Sequence, residues 1–189
     1  LLFFSVLMNI FLFRDVMLLD KITFFKSKRY LYVIFYIISG FIFLTLIPSI
    51  GYTFQPKLVL GIFILTWTND TFAYLIGKRF GKRKLKEKIS PKKTIEGFIG
   101  GLLAALIGGI IIFNTTLLYS SVFWLLLALL VSGLGTSGDL IQSKFKRLAG
   151  VKDSGRIMPG HGGVYDRLDS IIFASPFIYL FIIFINYVS

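Results

Sequence analysis

Residues 58–77 read LVLGIFILTWTNDTFAYLIG, twenty positions with a single charge, Asp70. A helix of that length rises about 30 Å, the thickness of bilayer hydrocarbon. The run does not alternate as a barrel strand would, and an open sheet in lipid leaves backbone groups unpaired, so a membrane-spanning helix is predicted. Working outward, residues 30–47, 97–113, 117–135 and 171–188 repeat the pattern, and a shorter apolar run opens the chain at 1–13. These segments predict an all-α, polytopic integral membrane protein with about six transmembrane helices and short basic cytoplasmic loops. The opening run is too short to cross, and the chain starts with Leu1 rather than Met, so its N-terminus reads as truncated. It has neither the basic region nor the small-residue cleavage site of a signal peptide.

Composition agrees. Of 189 residues, 56% are hydrophobic and 16% charged, against about 45–50% and 25% for a soluble domain. The absence of cysteine excludes a disulfide scaffold, a thiolate metal site and a Cys nucleophile, and a single histidine excludes an imidazole zinc site. The formal charge of +12 points to anionic lipid and a positive-inside bias in so apolar a chain, not to nucleic acid. Twenty of the 21 basic residues fall on one side of a six-span arrangement, and Lys57 alone lies in the connections 48–57 and 114–116. The basic side is predicted to be cytoplasmic. No linker or repeat divides the chain, so 1–189 is expected to form one transmembrane domain. Its loops 78–95 and 136–169 are too short for cores of their own and are expected to carry the chemistry against the helices. Within residues 97–113, Gly97, Gly101, Ala105 and Gly109 form a small-xxx-small stripe suited to close helix packing.

The charges that interrupt this apolar pattern are informative. Asp70 is predicted to lie on the order of 10 Å inside its span, where an ionised carboxylate faces a cavity, an ion or a basic partner. Asp139 follows Gly133, Gly135 and Gly138, while Asp166 and Asp169 are three apart on one helical face. Four acids gathered at one depth in a basic region form either salt bridges or a set of hard oxygen ligands for Mg²⁺. The stretch PGHGG at 159–163, just before Asp166, is either an ordinary turn or a run of amides that approaches a phosphate. Ser90-Pro91 is expected to start a helix, with Ser90 as N-cap. Lys92 and Lys93 would then lie in the first turn, where the helix dipole disfavours cations unless an anion is bound. For the lysines before Ser90, contact with lipid headgroups is the competing reading.

Several segments together resemble the signature of the phosphatidate cytidylyltransferase family, the CDP-diacylglycerol synthases. They are DTFAY at 70–74 with Gly77 and Gly81, SPKKTIEG at 90–97, GDL at 138–140, SKFKR at 143–147, KDSG at 152–155 and HGGVYDRLD at 161–169. Met158 stands where the family usually has Leu, Ile or Phe, and the chain lacks N-terminal spans that family members carry. The resemblance implies a magnesium-dependent enzyme that makes CDP-diacylglycerol and pyrophosphate from CTP and phosphatidate, often as a homodimer, at the bacterial cytoplasmic membrane. Carried onto this sequence, it makes Asp139 and Asp166 the principal metal ligands and Asp70 and Asp169 further or outer ones. Lys92, Lys93, Lys144 and Arg167 become phosphate contacts, Gly162 and Gly163 a backbone cradle, and Ser90 and Thr94 further nucleotide contacts. His161 is either a nucleotide contact or a hydrogen-bonded turn residue.

Elementary chemistry fits this reaction. A phosphate monoester has a second pKa near 6, so the nucleophile is already ionised and no general base is needed. The competing enzyme reading is a CTP-dependent transferase or kinase acting on an isoprenoid lipid. An ion-coupled transporter would carry polar residues along several spans, and those at 30–47 and 171–188 carry almost none.

Overall fold

The computed structural model describes residues 1–17, 29–51, 53–151, 154–155, 163 and 165–188. Helix α1 covers Leu2–Met17. A rod follows, built from α2 (Arg29–Tyr32), a π-helical turn at Val33–Ile38, α3 (Ser39–Leu46) and a 3₁₀ turn at Ile47–Ser49. Helix α4 spans Pro56–Phe80, and the hairpin strands β1 (Lys84–Lys86) and β2 (Ser90–Thr94) lead into α5 (Ile95–Thr116), α6 (Ser121–Leu148) and α7 (Tyr165–Val188). Five helical stretches among the described residues are long and apolar enough to cross a membrane: Tyr30–Ser49, Pro56–Phe80, Ile95–Thr116, Ser121–Leu148 and Tyr165–Val188. The chain is therefore an all-α integral membrane protein. The expected six spans become five, because α1 is helical but only 16 residues long, short of the roughly 20 that a crossing takes.

The chain falls into two compact units, Ile47–Thr136 on the one hand and Leu1–Leu46 with Ser137–Ser189 on the other. In the first, α5 packs tightly on α4 through the small-residue stripe. A Cβ at Gly97 would stand 2.6 Å from the Ala73 carbonyl oxygen, and one at Gly101 would stand 2.6 Å from that of Asn69. Leu103, Ile107 and Ile111 are exposed on α5 and form its lipid-facing side. Trp124, fully buried, fills the space left by Gly61 and Gly109, and its indole N–H donates to the Leu118 carbonyl at 2.6 Å.

In the second unit α3 packs on α7, with no room for a side chain at Gly40 beside Ile172. Pro176 lies inside α7 and cannot donate to the carbonyl of Ile172, four residues back. The Ser175 hydroxyl reaches that oxygen at 3.1 Å and the Gly40 carbonyl at 2.6 Å, so the break in the ladder becomes a tie between helices. Ser5 and Ser39 join their hydroxyls at 2.8 Å across α1 and α3.

Two boundaries differ from expectation. Ser90–Thr94 is a strand, and the helix starts at Ile95 with Thr94 as N-cap, its hydroxyl accepting from the Gly97 N–H at 3.1 Å. Ser90 is thus not a cap, and Lys92 and Lys93 are not in a first helical turn, so the dipole argument for an anion there falls. The cause is pairing: Lys84 sits opposite Thr94 and Lys86 opposite Ser90, and a strand partner outweighs the helix-start signal of Ser-Pro. Helix α6 also runs on through Gly133, Gly135 and Gly138 to Leu148, so the segment 136–169 expected as loop is helical at both ends. Glycine costs about 1 kcal/mol in a helix, but at Gly138 it admits the backbone of α7, where a Cβ would meet the Asp169 carbonyl oxygen at 3.0 Å.

These contacts predict a contrast within α5. Gly101→Val should lower the detergent-state melting temperature, at a cost of about 1–3 kcal/mol from overpacking. Gly108→Ala, whose Cβ would find its nearest neighbour at an ordinary 3.5 Å, should be neutral or slightly stabilising. Equal melting temperatures for the two variants would contradict the packing described.

Candidate active site

In the unit formed by residues 47–136, the polar feature is the β1–β2 hairpin. Seven basic residues, Lys82, Arg83, Lys84, Lys86, Lys88, Lys92 and Lys93, lie between α4 and α5. One carboxylate organises them: Glu96, in the first turn of α5, accepts from the backbone N–H of Lys82 at 3.0 Å and of Arg83 at 3.1 Å. The Ile95 N–H closes the same turn on the Arg83 carbonyl at 2.9 Å, and buried Ile89 anchors the hairpin tip. Lys92 is exposed and Lys93 half-buried. Ser90 is half-buried on β2, and the Thr94 hydroxyl is engaged in the helix cap. Asp70 lies on α4 in this unit, exposed, and accepts from the Asn69 side-chain amide at 3.1 Å.

The other unit contains the remaining acids. Asp166, in the first turn of α7, is the hub. Its Oδ1 accepts from Lys146 Nζ at 2.9 Å, and its Oδ2 accepts from the Ser154 N–H at 2.8 Å, the Ser154 hydroxyl at 2.9 Å and the Gly163 N–H at 2.9 Å. The pair with Lys146 is sheltered, with side-chain exposures of 14% for the lysine and 9% for the acid. Gly163 is held where a Cβ would strike the Ser154 hydroxyl at 2.6 Å, which explains why this position has no side chain. Asp139, half-buried on α6, accepts from Ser143 one turn on at 3.2 Å. Asp169 is buried, and its Oδ1 accepts from the Ser170 N–H at 2.7 Å. Lys144 is half-buried and Arg167 exposed. His161 and Gly162 lie outside the described residues.

The structure therefore places Asp139, Asp166 and Asp169 in one unit, and Asp70, Ser90, Lys92, Lys93 and Thr94 in the other. All the acids offer hard oxygen, the donor chemistry that Mg²⁺ takes. Among the described residues no three acidic or histidine side chains already enclose a cation position, and Mg²⁺ commonly needs only one or two carboxylates beside water and phosphate.

The sequence model of the Cytidylyltransferase family matches residues 1–185. The chain belongs to the cytidylyltransferase family. Phosphatidate cytidylyltransferases of Staphylococcus saprophyticus subsp. saprophyticus and Staphylococcus aureus are 41% and 43% identical to it over 171 and 170 residues, covering 87% of this chain. The chain spans 62% of the length of each of these relatives. That of Staphylococcus epidermidis is 45% identical over 128 residues, which is 67% of this chain and 49% of the relative. Family membership agrees with the motif reading of residues 70–169.

Sequence reasoning missed Lys146, Ser154 and Glu96 as organisers of the polar segments. A signal for the first existed: Asp139, Ser143 and Lys146 recur at i, i+4 and i+7, one face of a helix. It was hidden by ending the helix at the glycines. Removing the Glu96 clamp has a measurable consequence. Glu96→Ala leaves two backbone amides without their acceptor, a local cost of about 1–3 kcal/mol. Trypsin should then cut the hairpin on the order of tenfold faster, with the helical circular dichroism unchanged. Unaltered cleavage would show that Glu96 does not hold the hairpin.

Proposed function

We propose that the chain is the catalytic part of a membrane cytidylyltransferase that converts CTP and phosphatidate to CDP-diacylglycerol and pyrophosphate. The observation that carries this reading is the hub at Asp166, where the family's signature segments 143–147, 154–155 and 163–169 are drawn together by one carboxylate. An ionised phosphate oxygen of phosphatidate attacks the α-phosphorus of CTP, a new P–O bond forms, the α–β bridging P–O bond breaks, and pyrophosphate leaves with the electron pair. Because the nucleophile is already anionic, the protein's task is alignment and charge neutralisation rather than proton removal.

In this reading Asp139 and Asp166 would hold a Mg²⁺ ion, with Asp169 as a further or outer ligand and Lys146 as a cation beside Asp166. When bound, the cation neutralises charge that builds up on the phosphates. Lys144 and Arg167 contact phosphate oxygens, and Gly163 presents backbone to them beside Gly162 and His161. Lys92 and Lys93 on the exposed hairpin, flanked by Ser90 and Thr94, bind the triphosphate through charge alone, as point cations on a strand. The basic segments face the cytoplasm of a bacterial inner membrane, and the family resemblance implies a homodimer.

The test is pyrophosphate release by the full-length protein in detergent, with CTP, dCTP or ATP and with phosphatidate or an isoprenoid phosphate as acceptor. CTP with phosphatidate should be the productive pair, and a preference for the isoprenoid acceptor would overturn the reading. Asp139→Asn should lower kcat at least about 100-fold, the loss of several kcal/mol of charge stabilisation. His161→Gln should cost less than about tenfold, since no base is required. Equal losses would refute the ionised-nucleophile argument. Because the chain has no cysteine, a single Cys at exposed Thr53 should react with impermeant reagent from the outer side only.

A further inference from the structure

In the unit that contains Asp139, Asp166 and Asp169 there is a group of tyrosines that the reaction as described does not use. Tyr32 and Tyr36 come from the rod, their rings stacked with centroids 4.8 Å apart. Tyr32 packs on Phe145 of α6 at 4.4 Å, and Tyr36 on Phe173 of α7 at 6.3 Å. Tyr165 opens α7 next to Asp166. Tyr36 has no exposed surface at all, and the hydroxyls of Tyr36 and Tyr165 are both buried without a hydrogen-bond partner. The Tyr165 hydroxyl lies near those of Tyr32 and Tyr36. The Tyr36 hydroxyl lies within electrostatic range of the Asp139 and Asp169 carboxylates, and that of Tyr165 within range of Asp166 and Asp169.

A buried phenol O–H left unpaired costs about 1–3 kcal/mol, and a phenylalanine ring would fill the same space without that cost. This chain has 21 phenylalanines and nine tyrosines, so apolar rings are its usual filler. Tyr36 also sits in the π-helical turn Val33–Ile38, a local irregularity that tends to accompany functional sites. Among the described residues, the charged groups acting on these two hydroxyls include the carboxylates of Asp139, Asp166 and Asp169.

We infer that Tyr36 and Tyr165 are positioning residues whose hydroxyls hold Asp139 and Asp169 in ligating orientation once a divalent cation draws these carboxylates together. The phenols are donors to the outer oxygens of metal-bound acids and touch neither substrate nor cation. This inference rests on the metal-dependent reading above. Losing such outer partners typically weakens metal affinity about 10–100-fold.

The experiment is Mn²⁺ binding to the full-length protein in detergent, followed by electron paramagnetic resonance without nucleotide or lipid, for wild type, Tyr36→Phe, Tyr165→Phe and Asp139→Asn. Each Tyr→Phe variant should raise the Mn²⁺ Kd about 10–100-fold while the melting temperature of the metal-free protein stays equal or rises, since no hydrogen bond is lost. Unchanged Mn²⁺ affinity in both Tyr→Phe variants, alongside loss of binding in Asp139→Asn, would overturn this inference alone. A lower metal-free melting temperature with unchanged Mn²⁺ affinity would show that the hydroxyls are structural and overturn it equally. Undiminished Mn²⁺ binding by Asp139→Asn would overturn the metal reading itself, and the inference with it.

Discussion

A backbone N–H or C=O that lacks a partner in hydrocarbon costs several kcal/mol, and nearly every local choice in this chain follows from that cost. It makes the apolar runs helical and keeps them helical through glycines that would fray a helix in water. It explains why Ser175 stands next to Pro176: the carbonyl freed by the proline is met by a hydroxyl that also reaches Gly40. It also explains where extended structure is allowed. The hairpin lies between two spanning helices, among seven basic side chains, and its loose amides are collected by Glu96.

The helices were readable from hydropathy alone because lipid allows few other solutions, and each of the five long runs became a helix close to its expected place. The small-residue stripe on α5 was readable for a related reason, since Gly97, Gly101, Ala105 and Gly109 lie on one side only if the segment is helical. What misled was local chemistry whose meaning depends on a distant partner. Ser90-Pro91 looks like a helix start until Lys84–Lys86 pairs with it. Gly133, Gly135 and Gly138 look like a helix end until α7 needs the space beside Gly138. The acids stand out in the sequence by their apolar setting, whereas Lys146 reads as one basic residue among many. Its role comes from Asp166, twenty positions later.

The two polar segments handle charge differently. On the hairpin the cations are many and mostly exposed, where water and salt screen them, so they act collectively on an anion. At Asp166 one lysine and three neutral donors share a carboxylate, and its bond to Lys146 is made in a sheltered setting where water competes poorly. A centre of the second kind can orient a reacting phosphate, whereas a field of the first kind can attract and hold a polyanion.

The π-helical turn of the rod holds one residue more than an α-helix of the same height would. Each helical residue turns the chain by about 100°, so shortening Val33–Ile38 by one position and letting it close as α-helix would swing α2 around its axis while α3 stayed seated on α7. Tyr32 would leave the stack with Tyr36, although every side chain in the rod except the deleted one would still be present. The geometry of this corner is thus encoded in the length of the segment as much as in its residue types. A single insertion or deletion there is a larger change to the protein than most substitutions.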